Sequence, residues 1–170
     1  IFLELVTFGA ALIAMTYYGN QELELFHDSS LKLNKTFGMV NTLFLLTSGF
    51  IMAISVSEIK KGNQKKFEKL LLLAMFFGIL FLGLKSLEYY EKIVDGIGIG
   101  YNTFFTFYWM LTLFHVIHVL VGLVILASVY FGIKKENSTT TIEDVEASAA
   151  FWHMCDLIWI LIFPVIYLLF

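Results

Sequence analysis

Five long apolar runs, separated only by short polar connections, decide what environment this chain can fold in. They lie near residues 1–19, 38–57, 70–90, 103–131 and 147–170. A helix rises about 1.5 Å per residue, so each run is long enough to cross a hydrocarbon core about 30 Å thick. The runs are continuous rather than alternating every second residue, which favours helices over a transmembrane barrel. With 59% of residues hydrophobic and 15% charged, the chain lacks the polar surface of a water-soluble domain. The expected fold class is all-α: a polytopic transmembrane bundle of five helices. No internal repeat, low-complexity tract or linker sets off a second unit, so one transmembrane domain over 1–170 is expected.

The connections set the expected orientation. The second, SEIKKGNQKKFEK, concentrates Lys60, Lys61, Lys65, Lys66 and Lys69, and the fourth, KKENSTTTIEDVE, opens on Lys134 and Lys135. Short lysine-rich linkers mark the cytoplasmic side. The first, NQELELFHDSSLKLNK, mixes acids with lysines, and the third, EKIVDGIGIGYN, is short and glycine-rich, so both read as external. A cytoplasmic start and an external C-terminus follow; the membrane is expected to be a bacterial cytoplasmic one. The opening IFLELVTFGAALIAM has neither the basic region nor the cleavage site of a signal peptide. Ile1 is not a start residue, so the first span is expected to have further residues upstream.

Charge and cysteine content exclude other classes. The chain has no arginine and a net charge of -3, which argues against a nucleic-acid interface. Its single cysteine, Cys155, can form no internal disulfide and has no companions for a thiolate metal site. Glycines at 9, 49, 78, 83 and 122 lie within spans, where a missing side chain lets helix backbones approach.

Ionisable groups inside lipid are costly unless they face protein, water or a partner, which reduces the candidates to a short set. Lys85 and Glu88, three apart in GLKSLEYYEK, share a helix face and read as a pair near the external surface. Glu4 lies near the internal end of the first run, where it is expected to hydrogen-bond a neighbouring helix or handle protons. His115 and His118 share a face of FHVIHVLVG and can hold helices together, ligate heme or bind a metal. His118 is placed at the centre of its helix and His153 about 8 Å to the internal side of its own, a poor match for two axial heme ligands. His153 and Asp156 share a face close to Trp152 and Trp159. An aspartate can fix a histidine tautomer, but no nucleophile with an oxyanion site accompanies them, so a polar clamp on another helix or subunit is expected. Cys155 reads as a packing residue, and Asn41 and Ser48 as weaker polar markers. Pro164 predicts a kink that widens a crevice able to hold lipid.

In order along the chain, IFLEL, NTLFLLTSG (41–49), GILFLGLKSLEYYE (78–91), NTFFTFYWMLTLFHVIHVLVG (102–122) and FWHMCDLIWILIFPVIYL (151–168) resemble subunit III of the heme-copper oxidases in its short five-helix form. The two-histidine helix followed by WH..D..W....P..Y is the specific part. The chain departs from the pattern at Leu113, where a glycine is expected, and at Cys155, where a branched apolar residue is usual.

The resemblance implies a subunit that binds no cofactor itself. Hemes and copper, and the reduction of oxygen, belong to subunit I, against which subunit III packs, while its helices hold phospholipid in a cleft. Carried onto this chain, Glu4 would be an interface carboxyl linked to proton uptake or oxygen access. Glu88, His115, His118, His153 and Asp156 would be a polar framework, with Trp152 and Trp159 as its aromatic companions. An accessory subunit of nitric oxide reductase shares the five-helix form and is the nearest alternative. A heme-binding membrane cytochrome and a small transporter are the more distant ones, and either cytochrome c or quinol could be the complex's electron donor.

Overall fold

The computed structural model describes residues 1–170 and is entirely helical. In chain order the helices are α1 (Phe2–Gln21), α2 (Leu23–Leu31), α3 (Lys35–Lys60), α4 (Gln64–Val94), α5 (Thr103–Lys134) and α6 (Ile142–Phe163), followed by a π-helical turn, Pro164–Leu168. Five of these are long and apolar enough to cross a membrane, the last counted with the π turn.

The spans exceed the expected ones at their polar ends. Asn34 and Asn102 start α3 and α5 by accepting hydrogen bonds from the amides of Phe37 and Phe105. Thr141 and Asp144 form a reciprocal capping box that starts α6 five residues earlier than hydropathy alone suggested. Gly62 follows α3 at φ 84° and Gly96 follows α4 at φ 74°, a left-handed backbone that a side chain resists.

A sixth helix, α2, occupies the connection that looked like a loop. Its one large buried side chain, Phe26, packs edge-on against Phe104 and Phe170, capping one end of the bundle. Short polar stretches hid it, because a single aromatic supplies most of its anchorage.

Neighbours α3–α4, α4–α5, α5–α6 and α6–α3 touch and close a four-helix ring, while α1 lies against α5 and α6. Cross-helix contacts fix the register. Ser48 and Phe44 of α3 meet Ala74 and Phe77 of α4, Phe8 and Glu4 of α1 meet Phe114 and His118 of α5, and His115 and Gly122 of α5 meet Cys155 and Trp152 of α6, so each of these pairs runs antiparallel.

Three glycines make the close approaches expected of them. An added Cβ at Gly49 would collide with the Asp156 carboxylate, and one at Gly78 or Gly122 would lie 2.7 or 2.9 Å from the Trp152 ring. Gly9 and Gly83 face open space instead, so their small size serves no helix contact within the chain.

Candidate functional site

At the centre of the ring sits a closed cluster of charge and hydroxyl groups. Lys85 and Glu88, one turn apart on α4, are both essentially inaccessible, with Nζ to Oε2 at 3.1 Å. Lys85 Nζ also donates to the hydroxyls of Tyr167 (2.9 Å) and Tyr108 (3.3 Å). Both tyrosines in turn donate to Glu88 Oε1, at 2.6 and 2.9 Å. The ammonium lies 4.9 to 5.5 Å from the rings of Tyr89, Tyr108, Trp159 and Tyr167, a cage of π-faces that replaces part of its lost hydration. The sequence placed this pair near a surface. The pair lies in the last third of α4, Lys85 about 13 Å and Glu88 about 9 Å from its end at 1.5 Å per residue, and is enclosed there by protein. Its lone pairs and protons are turned on one another, so the cluster is a lock between helices and presents nothing to a substrate.

Pro164 belongs to that lock. It cannot donate to the preceding turn, and the backbone beyond it relaxes to a five-residue bond from the Leu169 amide to the Pro164 carbonyl. The turn packs inward. It closes the bundle by burying Ile166 and Tyr167, bringing the Tyr167 hydroxyl to Lys85 and Glu88, and setting the Phe170 carbonyl 2.7 Å from His27 Nδ1.

The two histidines of α5 serve different contacts. His115 is fully buried, and its Nε2 lies 2.9 Å from the Cys155 carbonyl. A carbonyl only accepts, so Nε2 carries the proton and Nδ1 is a buried acceptor without a partner. Phe81 and Trp159 flank the ring.

His118 uses both nitrogens: Nδ1 donates to the Phe114 carbonyl at 2.7 Å, and Nε2 lies 2.9 Å from Glu4 Oε2. With Nδ1 committed as a donor, the contact to Glu4 holds one proton, carried either by the acid or by the imidazole. Glu4, in the first turn of α1, is therefore level with the middle of α5.

The depth argument about heme also changes. Because α6 starts at Ile142, His153 lies close to its middle, and the contacts of Gly122 with Trp152 and His115 with Cys155 put His118 and His153 at one level. Helix face separates them instead. His118 is engaged with α1, and His153 turns toward α3, where its Nδ1 is 3.6 Å from Asp156 Oδ2 beside Gly49. No group of three or more His, Cys, Asp or Glu side chains is arranged to hold a metal ion.

Asp156 does not bond a polar side chain of another helix. Its carboxylate fills the space left by Gly49, and Oδ1 is buried without a partner. The tryptophans supply the cross-helix hydrogen bonds. Trp152 donates to Ser48 Oγ (3.0 Å), which donates to the Ala74 carbonyl (2.6 Å), and Trp159 donates to Thr42 Oγ1 (3.0 Å). Cys155 is buried among them.

Tyr108 is not among the candidates read from the sequence, and Tyr167 is marked there only as the last residue of the WH..D..W....P..Y pattern. Tyr108, Thr112 and His115 recur at helical spacing on one buried face, which was a readable signal for the first. Nothing local pointed from Tyr167 to its partner Lys85, 82 residues away.

Residues 31–169 match the family described as cytochrome c oxidase subunit III. Among curated relatives, the cytochrome bo(3) ubiquinol oxidase subunit 3 of Buchnera aphidicola is 31% identical over 140 residues, covering 79% of this chain and 68% of that protein. The cytochrome c oxidase subunit 3 of Synechocystis is 31% identical, covering 76% of this chain and 55% of that protein. The heme-copper oxidase subunit I+III of Aeropyrum pernix is 28% identical, covering 77% of this chain and 16% of that protein.

Proposed function

Because the chain belongs to the cytochrome c oxidase subunit III family, we propose that it is a non-catalytic, membrane-embedded subunit of a respiratory heme-copper oxidase, packed against the subunit that carries hemes and copper. The observation that carries this reading is the state of its polar groups. Lys85, Glu88, His115 and His118 are spent on holding helices together, which suits a scaffold. The Aeropyrum relative, named as subunit I and III in one chain, supports the pairing with a subunit I.

Glu4 supplies the proposed contact with subunit I. Its side chain is 34% exposed, at the level of the bundle's middle, and only Oε2 is bonded within the chain. A carboxyl at that depth needs protein or water beside it. Phospholipid acyl chains would lie in the groove between α5 and α6 lined by Val124, Ile125, Val129 and Phe151. The lysine-rich connections support a cytoplasmic position for that end of the bundle.

The test is purification of the native complex. The chain is expected to co-purify with a heme-bearing subunit I and bound phospholipid, and recovery as a stable solitary protein would overturn the reading. A nitric oxide reductase catalytic subunit in its place would assign the chain to that complex instead. In the oxidase, Glu4→Gln is expected to leave the heme spectrum unchanged and alter only turnover-linked rates or lifetime. The amide can still donate to His118 Nε2, so loss of heme from this variant would contradict a peripheral position for Glu4.

A further inference from the structure

We infer that the outer seam of α6 beside α3, centred on His153, is a docking site for a transmembrane helix of another chain that carries a hydrogen-bond donor at mid-membrane depth. The inference rests on the reading that this chain works inside a membrane complex, and it names a contact that the Glu4 face does not supply.

The other polar side chains that turn outward along the spans show what is unusual here. Thr7, Thr16, Ser86 and Ser128 each donate to the carbonyl four residues back, so lipid meets no free polar atom. His153 has no such bond. Its side chain is 43% exposed, its Nδ1 faces Asp156 Oδ2 at 3.6 Å, and its Nε2 has no partner in the chain. In the neutral ring with its proton on Nδ1, the side that faces the carboxylate, Nε2 presents a lone pair outward. Asp156 Oδ1 also lacks a partner, but it is buried, so Nε2 is the atom a neighbouring chain would meet. A neutral imidazole nitrogen that only accepts, at this depth, calls for a donor: Arg, Lys, Trp, Tyr, Ser or Thr.

Depth decides between a helix and a lipid headgroup. The last span runs Ile142–Leu168, so His153 lies within about 3 Å of its middle. Headgroups begin about 15 Å from the bilayer centre, out of reach. The surroundings suit a helix. On α6, Ala150, Leu157, Ile160 and Leu161 are exposed on the side of His153, and Leu46 and Phe50 of α3 are exposed beside Gly49. Gly49 also contributes by admitting the carboxylate, since any side chain there would collide with it.

The test uses the intact complex carrying a photo-crosslinking phenylalanine analogue in place of Leu157, with the same analogue at lipid-facing Ile79 of α4 as control. The position-157 probe is expected to label a transmembrane segment of a different chain, within one helical turn of a donor side chain, while the position-79 probe labels lipid. His153→Leu should lower retention of that partner on dilution in detergent roughly threefold to tenfold, and His153→Gln should restore it. Adducts of position 157 with lipid alone, or with a second copy of this chain, would overturn the inference. So would equal partner retention in the leucine variant. Because these outcomes are scored in complexes that retain subunit I and its hemes, they are distinct from a failure of the proposed function, in which no such complex forms.

Discussion

Lys85→Met and Glu88→Leu are each expected to cost most of the folded protein, whereas the double variant recovers much of it. Either single change leaves one full charge buried among aromatic rings with no counter-ion. The pair is 1% and 0% exposed, so solvent screens nothing. Breaking a buried pair by removing one partner typically costs about 3 to 5 kcal/mol, while replacing both partners with apolar side chains is often nearly neutral. Recovery in the double variant should be incomplete, because the Tyr108 and Tyr167 hydroxyls then lose the Glu88 oxygen they share. Each stranded hydroxyl is worth about 1 to 3 kcal/mol. The measurement is the thermal midpoint and monodisperse yield of all four proteins in one detergent. Single variants as stable as the parent, or a double variant whose loss is the sum of the two, would show that Lys85 and Glu88 do not act as a pair.

The spans were legible because lipid imposes a one-dimensional rule: every residue in a run must be apolar or satisfied, and the run must be long enough. Helix ends obey a different chemistry. Thr141 and Asp144 carry a capping box in a polar stretch that hydropathy discounts, so α6 was started too late and His153 was assigned the wrong depth. Rotation about the helix axis was not legible either. Gly78 and Gly83 look equivalent in the sequence, yet one abuts Trp152 and the other faces open space.

The polar cluster was half visible. Lys85 and Glu88 are three apart and announce themselves, but what surrounds them comes from α5 and from the π turn, joined only when the bundle closes. Glu4 and His118 illustrate the same limit across 114 residues. Their types and spans were readable, and their contact depends on the register between α1 and α5.

Gly78→Val and Gly122→Val are expected to destabilise the bundle strongly, and Gly83→Ala is not. The Trp152 indole lies between α4 and α5, with added carbons at the two glycines falling 2.7 and 2.9 Å from its ring atoms. A flexible side chain could swing away. Trp152 cannot, because it is fully buried and its Nε1 is held 3.0 Å from Ser48 Oγ, which is itself tied to the α4 backbone. The helices must therefore separate, and overpacking of this kind costs about 1 to 3 kcal/mol, more where backbone shifts propagate. At Gly83 nothing lies within 4 Å, so alanine gains helix propensity worth up to about 1 kcal/mol against no steric cost. Pairing Gly78→Ala with Trp152→Phe isolates the contact: a smaller ring should absorb the new methyl, giving a favourable coupling of about 0.5 to 3 kcal/mol in thermal or denaturant titration. Equal effects at positions 78 and 83, or strict additivity of Gly78→Ala with Trp152→Phe, would mean that Trp152 is not what sets the spacing of α4, α5 and α6.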